Sequence, residues 1–244
     1  LYAAPSAKLS GETNAKKETS QEDTVVPISR MRQRIAERLT LSANTIPQFH
    51  LMIDIDMTDA LVWRNRINAE ERSKVSITDL IVKACALGLK EFPVLNSHVE
   101  KDRIILKKDI HIGLATAVED GLVVPAIQHA DAKSLVELSG IAKEKVDAAR
   151  KGFLDTEPAV TFTITSLGMY SIRRFIPVIN PPECAILAVG AVEKRVVPVD
   201  GDAGIRDMMS VTLACDHRAV DGVYAAGFLN RLRRYLETDF AQLQ

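Results

Sequence analysis

Met209-Ser210-Val211-Thr212-Leu213-Ala214-Cys215, continuing into Asp216-His217-Arg218-Ala219-Val220-Asp221-Gly222, is the stretch from which the rest of the chain is read. Its first seven residues alternate apolar with polar or small side chains, the period of a half-buried strand, and beyond Gly222 the period becomes helical. This strand-to-helix junction sets an imidazole, His217, and a carboxylate, Asp221, four residues apart. A histidine at the exposed end of a strand is held by the sheet yet open to substrate. With a reference pKa of about 6.5, an imidazole is suited to taking a proton near neutral pH. Asp221 can orient His217 or hold the surrounding loop; alternatively Asp216 or Asp221 caps the following helix. Cys215 shares the strand face of His217, but side chains at i and i+2 stand about 7 Å apart along a strand, too far for easy thiolate–imidazole contact.

The 244 residues, 47% of them hydrophobic, suit one large domain or two small ones with a sizeable core. A formal net charge of -1 gives no global reason to expect nucleic acid or an acidic membrane as partner. No apolar run approaches the roughly 20 residues of a bilayer span, and the first residues lack a signal peptide's basic start and apolar core. The expectation is a soluble intracellular protein. Cys85, Cys184 and Cys215 are odd in number and without a CxxC pair, so they read as buried thiols, with neither a disulfide framework nor a metal site. Residues 1–24, rich in Ala, Ser, Thr, Lys and Glu, read as a flexible linker, and 25–244 as the folded domain.

Within that domain, Ser29 caps a predicted helix ending before Pro47, with Ile28, Met31, Ile35 and Leu39 as an apolar stripe and Arg30, Arg34 and Arg38 as a basic one. Phe49 to Met57 alternates as a strand, Thr58-Asp59 opens a short helix, and Ser76-Ile77-Thr78-Asp79 opens another that is apolar almost all round and belongs under the sheet. Hairpins are predicted at Glu100-Lys101-Asp102 and Glu119-Asp120-Gly121. His50, His98 and His111 read as structural or surface residues in strands, and His129 as exposed in a loop. Ser134 to Glu137 is a capping box for an amphipathic helix stopping at Gly152. Val160 to Thr165 sets Thr161, Thr163 and Thr165 on one face of a strand. Cys184 to Val192 reads as a buried strand, Val196 to Val199 with Asp200-Gly201 as a hairpin, and Val223 to about Leu236 as a closing helix whose wet side is Arg231, Arg233 and Arg234. Mixed strands and helices without a glycine-rich phosphate loop point to an α/β domain with a mixed sheet covered by helices.

Asp-His-Arg-x-x-Asp-Gly near a C-terminus resembles the signature of the dihydrolipoamide acyltransferases, the E2 cores of 2-oxo-acid dehydrogenase complexes, which share the chloramphenicol acetyltransferase fold. Arg32 to Leu39, Asp120 to Pro125, Thr161 to Gly168 and Ile179-Asn180-Pro181-Pro182 resemble further family segments in the same order, and together they cover about residues 25 to 240. The resemblance implies the CoA-dependent acyltransferase fold, and acyl transfer between the thiols of dihydrolipoamide, carried on a lipoyl domain absent from this chain, and of coenzyme A. It assigns His217 as general base, Asp221 as its supporting carboxylate and Thr165 as the hydroxyl facing the reacting carbonyl oxygen, with Ser166 the alternative if the register shifts by one. It implies a homotrimer with His217 and Thr165 contributed by neighbouring subunits, E1 and E3 components as partners, and a bacterial or archaeal cytoplasm or a mitochondrial matrix as location. Arg34 or Arg38 would pair with Asp221. Ser166 to Tyr170 and Ile179 to Pro182 resemble acetyl-transferring cores more than succinyl-transferring ones. Family cores that assemble into cages end in an apolar run, for which only Phe240 and Leu243 are available. A non-catalytic scaffold subunit and a small-molecule acetyltransferase are the rival readings; His217 opposes the first, the helix and hairpin motifs the second.

Overall fold

The computed structural model describes residues 23–71, 74–119, 121–153 and 159–244. Residues 1–22 of the expected linker and Asp120 of the expected turn lie outside the described residues. In chain order the elements are α1 (Arg30–Thr45), β1 (Gln48–Asp56), α2 (Thr58–Glu70), α3 (Ile77–Glu91), β2 (Ser97–Val99), β3 (Ile104–Leu106), β4 (Ile112–Leu114), β5 (Thr116–Val118), β6 (Gly121–Val123), β7 (Ala126–Ile127), α4 (Leu135–Arg150), β8 (Phe162–Ser166), β9 (Ala185–Val199), β10 (Asp202–Asp216) and α5 (Gly222–Glu237). Short 3-10 turns lie at Ala130–Ala132, Gly168–Tyr170 and Phe240–Leu243.

Six strands form one mixed sheet in the order β1-β10-β9-β8-β4-β7, as the alternating pattern of the sequence implies. The neighbours β4, β8 and β9 run parallel, while β10, β1 and β7 pair antiparallel to theirs. One face carries the main core. There α3 starts at a complete capping box, Ser76 Oγ accepting from the Asp79 amide and Asp79 Oδ2 from the Ser76 amide, so its first-turn donors are satisfied. Ten of its fifteen residues are buried, which is why its apolar character runs all round. It crosses α5 closely because both helices carry a glycine at the crossing: a Cβ at Gly88 would lie 3.0 Å from Phe228 and one at Gly227 2.9 Å from Phe92.

The second face is covered differently. A small cluster of Ile46, Ile179, Ile186 and Ala214 joins the end of α1 to the sheet, and Ser42 Oγ donates to Ile179 O at 2.6 Å. Thr163 and Thr165 belong to this face, since Phe162 and Ile164 between them enter the main core. The helix capped by Ser29 forms as expected, but its apolar stripe is only partly used: Met31 and Ile35 lie on Gly121 of the β5–β6 hairpin, whereas Ile28 and Leu39 are exposed.

Three expectations change. The segments expected as a buried strand and a separate hairpin strand are one fifteen-residue strand, β9, whose register against β10 shifts between Met209 and Val211. That irregularity is where Gly190 sits: a Cβ there would run into the Arg173 carbonyl oxygen, so only glycine lets the 171–178 segment lie on the strand. Arg231 is not simply wet. It donates to Glu91 at 2.8 Å and Asp239 at 3.2 Å and stacks 4.3 Å over Tyr235, tying α5 to α3. Phe240 packs on Trp63 at 5.4 Å and Leu243 is fully buried, so both residues considered for cage contacts are consumed within their own chain.

Candidate active site

The turn after β10 is pinned by Asp216, whose buried carboxylate takes a bidentate pair from Arg218 at 2.9 and 2.6 Å and the Arg218 amide at 3.0 Å. His217 projects from this fixed turn into solvent. Its amide donates to Pro47 O at 2.9 Å, and its ring stands 4.5 Å from that of Phe49, which pairs with Cys215 across the β1–β10 ladder. Backbone and ring are thus both positioned while the imidazole stays accessible. Asp221 is the N-cap of α5, its Oδ1 accepting from the Tyr224 amide at 2.8 Å; of the two capping options it is Asp221, not Asp216, that is used. Among the described residues neither Asp221 nor Asp216 hydrogen-bonds the His217 ring. Cys215 is completely buried and burial pushes its thiol well above the ordinary range, which removes it as a nucleophile.

Thr165 lies half-buried in β8 and pairs with Ala188, which pairs in turn with Thr212 of β10. Thr165 is therefore two strands from β10 and level with a residue five positions before His217. At about 3.4 Å per residue along a strand and about 4.8 Å between strands, the two side chains are roughly 20 Å apart. Their environments also differ, since Phe49 beneath His217 packs on the main core whereas Thr165 is on the opposite face. One chain does not bring Thr165 and His217 together. Nor does it join Arg34 or Arg38 to Asp221: Arg38 Nη2 donates to Pro181 O at 2.6 Å.

His98 and His111 are structural, as expected. His98 Nε2 meets Val160 O at 2.9 Å, and His111 Nδ1 accepts from the His129 amide at 3.1 Å. His129, with φ 49°, is exposed. Among the described residues no group of three metal-ligating side chains converges, and no helix is long and apolar enough to cross a membrane.

A groove of about 660 Å³, for which no local pattern of residues is a signal, opens between the start of α3 and the length of α4. Leu114, Val136, Ala142 and Val146 form an apolar wall, and Lys74, Lys143 and Arg150 stand at its edge. None of these three cations forms an ion pair with the described residues. The groove ends at Leu114, which pairs with Ile164, the residue before Thr165. Glu183 was missed as well. The signal was present: an acidic residue standing between Pro182 and the all-apolar start of β9.

The model of the 2-oxoacid dehydrogenases acyltransferase catalytic domain matches residues 20–244. The chain belongs to this family. It is 37% identical over 224 residues to the acetyltransferase component of the pyruvate dehydrogenase complex of Rickettsia felis, covering 89% of this chain and 54% of that protein. It is also 37% identical over 251 residues to the Bacillus subtilis lipoamide acyltransferase of the branched-chain alpha-keto acid dehydrogenase complex, covering 97% and 58%. The chain thus spans little more than half the length of these relatives. Among solved structures, a dihydrolipoamide acetyltransferase of Azotobacter vinelandii matches with TM-score 0.86 and 34% identity over 91% of this chain and 95% of that one. In that protein a serine, a histidine and an asparagine have been investigated for their role in the catalytic mechanism. The cubic core of a pyruvate dehydrogenase multienzyme complex matches with TM-score 0.86 and 32% identity over 97% of this chain and all of that one. Chloramphenicol acetyltransferase, at 15% identity and TM-score 0.55, shares the fold.

Proposed function

We propose that this acyltransferase-family chain moves an acyl group, most readily acetyl, between the thiol of dihydrolipoamide and that of coenzyme A, as the core of a 2-oxo-acid dehydrogenase complex. The observation that carries the reading is a spacing. The serine, histidine and asparagine of the Azotobacter vinelandii enzyme are separated by 52 and 4 residues, and Thr165, His217 and Asp221 stand at the same intervals. Thr165 keeps the hydroxyl of the serine, and Asp221 replaces the asparagine with a carboxylate.

In the forward direction His217 takes the proton of the CoA thiol as its sulfur attacks the thioester carbon of acyl-dihydrolipoamide. A thiol with a reference pKa of about 8.5 is mostly protonated at neutral pH, so the base raises the reactive fraction. The carbonyl oxygen becomes an oxyanion, and the Thr165 hydroxyl donates to it. Collapse of the tetrahedral intermediate breaks the carbon–sulfur bond to dihydrolipoamide, and the departing thiolate recovers the proton from His217. The separation of Thr165 and His217 in one chain supports a site built between two copies, and we read the working unit as a homotrimer. Burial of Leu243 and the packing of half-buried Phe240 on Trp63 in their own chain speak for that unit over a larger cage.

The groove beside α4 suits CoA. Its three cations, which form no ion pair with the described residues, would face the phosphates, and its apolar wall leads past Leu114 toward Thr165. The lipoyl group would arrive on a separate domain, with E1 and E3 as further partners, in a bacterial or archaeal cytoplasm or a mitochondrial matrix. Residues 1–24 would be the tether and 25–244 the catalytic domain. The test is thioester transfer from acetyl-CoA to dihydrolipoamide, with succinyl-CoA and isobutyryl-CoA in parallel, by the parent and by His217→Ala. Loss of about 10² or more in the variant is expected. A parent that assembles but transfers nothing would refute the reading in favour of a scaffold subunit.

A further inference from the structure

Among the described residues three acidic side chains are buried: Asp79, Asp216 and Glu183. The first completes the α3 capping box and the second pairs with Arg218, so both are accounted for locally. Glu183 is not. It is 2% exposed, its Oε1 accepts from Asn180 Nδ2 at 2.5 Å, and its Oε2 is buried without a hydrogen-bond partner. The Thr163 hydroxyl, 1% exposed and close enough to favour the Glu183 carboxylate, is likewise buried and unpartnered. Of the four buried side-chain polar atoms without a partner among the described residues, these two are neighbours, and a neighbouring pair calls for a reason.

Their place in the fold supplies one. Thr163 lies two residues before Thr165 on the same face of β8, and it pairs with Ile186 at the start of β9, which Glu183 precedes. The loop that carries Glu183 is in turn fixed to β2, through the His98 bridge and the Val99 amide to Pro182 O, and to α1 through Arg38. We propose that Glu183 is a positioning residue of the acyl-transfer site: in its neutral form it joins the Asn180 loop to Thr163 and so fixes the end of β8 that presents the Thr165 hydroxyl. This rests on the function proposed above.

One proton removes both orphans. With Oε2 protonated, Oε2–H donates to Thr163 Oγ1 while Oε1 keeps the Asn180 amide. The ionised form could accept the Thr163 hydroxyl instead, but it would bury a full charge to which, among the described residues, no cation is bonded. Arg38, facing it from α1, spends Nη2 on Pro181 O, and His98, on β2, spends Nε2 on Val160 O. β8 faces it with uncharged Thr163. Burial accordingly pushes the Glu183 carboxyl up to about 7, against the opposing pull of Thr163, Asn180 and Arg38. Because the folded value lies above the unfolded one, the neutral form's contribution is complete below the ordinary carboxylate range and is lost as pH rises through about 7. Catalysis is the sensitive reporter, since misplacing a reacting group by about 1 Å can cost about 10² in rate.

The experiment compares the parent with Glu183→Gln and Glu183→Ala in acetyl transfer from pH 6 to 8.5, and in thermal unfolding from pH 5 to 8.5. Glutamine mimics the neutral acid, donating to Thr163 and accepting from Asn180. Since deprotonation of the general base raises kcat in both proteins, the ratio of parental to Glu183→Gln kcat is the reporter: it should fall as pH rises through 7, and KM for both substrates should be unchanged in each. The alanine variant should lose about tenfold or more in kcat at every pH, with KM again unchanged. The melting temperatures of parent and Glu183→Gln should separate above pH 7, the variant higher. An identical pH dependence of kcat in parent and Glu183→Gln, or a parental kcat in Glu183→Ala, would overturn the proposal. Should the alanine variant not fold, the glutamine comparison decides alone. A parent without acyl transfer would remove the function reading, while superimposable melting profiles for parent and Glu183→Gln would separately remove the buried proton.

Discussion

If the site lies between copies, two inactive chains should repair one another. Thr165→Ala removes the proposed oxyanion donor and should lower kcat by about 10² to 10³; His217→Ala removes the proposed base and should lower it by about 10² to 10⁴. Thr165 is level with Thr212 through Ala188, which leaves roughly 20 Å of sheet between the two groups in one chain. No side-chain motion closes such a gap, so on the proposed roles each site would draw its histidine from one copy and its threonine from another. When the two variants are unfolded, mixed in equal amounts and refolded together, a site is intact only if a Thr165→Ala chain offers His217 to a His217→Ala chain offering Thr165. For random closed rings that is about one quarter of the sites, whatever the ring size. The mixture should therefore regain about a quarter of the parental rate, more than an order of magnitude above either variant alone. Acetyl transfer from acetyl-CoA to dihydrolipoamide measures it, with each variant refolded alone as the control. A mixture no faster than the mean of its two components would refute the shared site.

Reversing two of the groove cations, Lys143→Glu with Arg150→Glu, should raise KM for CoA about tenfold, from about 0.5–1 kcal/mol for each exposed pair made unfavourable, and leave kcat and KM for dihydrolipoamide unchanged in steady-state kinetics. Asp54 is shifted by partial burial, which raises its pKa, and by the stronger pull of Ser210, Arg174 and Arg195, which brings it down to about 2. Its stabilisation is therefore present above the ordinary carboxylate value and lost as pH falls through about 2. Discounted for its exposure, it is worth about 1 kcal/mol, so Asp54→Asn should lower the melting temperature at pH 6 but not at pH 2. Leu243→Ala should cost about 2–4 kcal/mol in denaturant unfolding, because the side chain is wholly buried. Gly190→Ala should destabilise by about 3 kcal/mol or more in the same assay, since the methyl has only backbone to meet.

Local patterns served the fold well wherever one element's own residues decide its conformation. The Ser29, Ser76 and Ser134 caps, the apolar run of α3 and the alternation of β1 all place their elements correctly because capping and periodicity act within a few residues. The failures involve partners far away in sequence. Nothing near Val192 to Val199 shows that two expected strands are one; that follows from pairing with β10 and from the close approach of Arg173 to Gly190. Arg231 reads as solvated on its own helix, and only the crossing of α3 by α5 brings Glu91 to it.

The same division explains the site. His217 was legible because its exposure depends only on ending a strand before a capped helix, and both halves of that junction are written in consecutive residues. The distance from His217 to Thr165 was not, since it is set by the registers of β8 on β9 and β9 on β10, two long-range pairings that no spacing along the chain encodes. This has a consequence for which substitutions should matter. A change at the turn after β10 acts on one catalytic group and is read directly, whereas a change at the head of β9 acts through the sheet on the other. Glu183 stands at that head, one residue before the buried Cys184-Ala185-Ile186 run. A carboxyl there has no favourable role in folding alone: an apolar side chain would fill the space without burying Oε2. Its presence is intelligible if the placement of β8 relative to a second copy's His217 is what the chain has to get right.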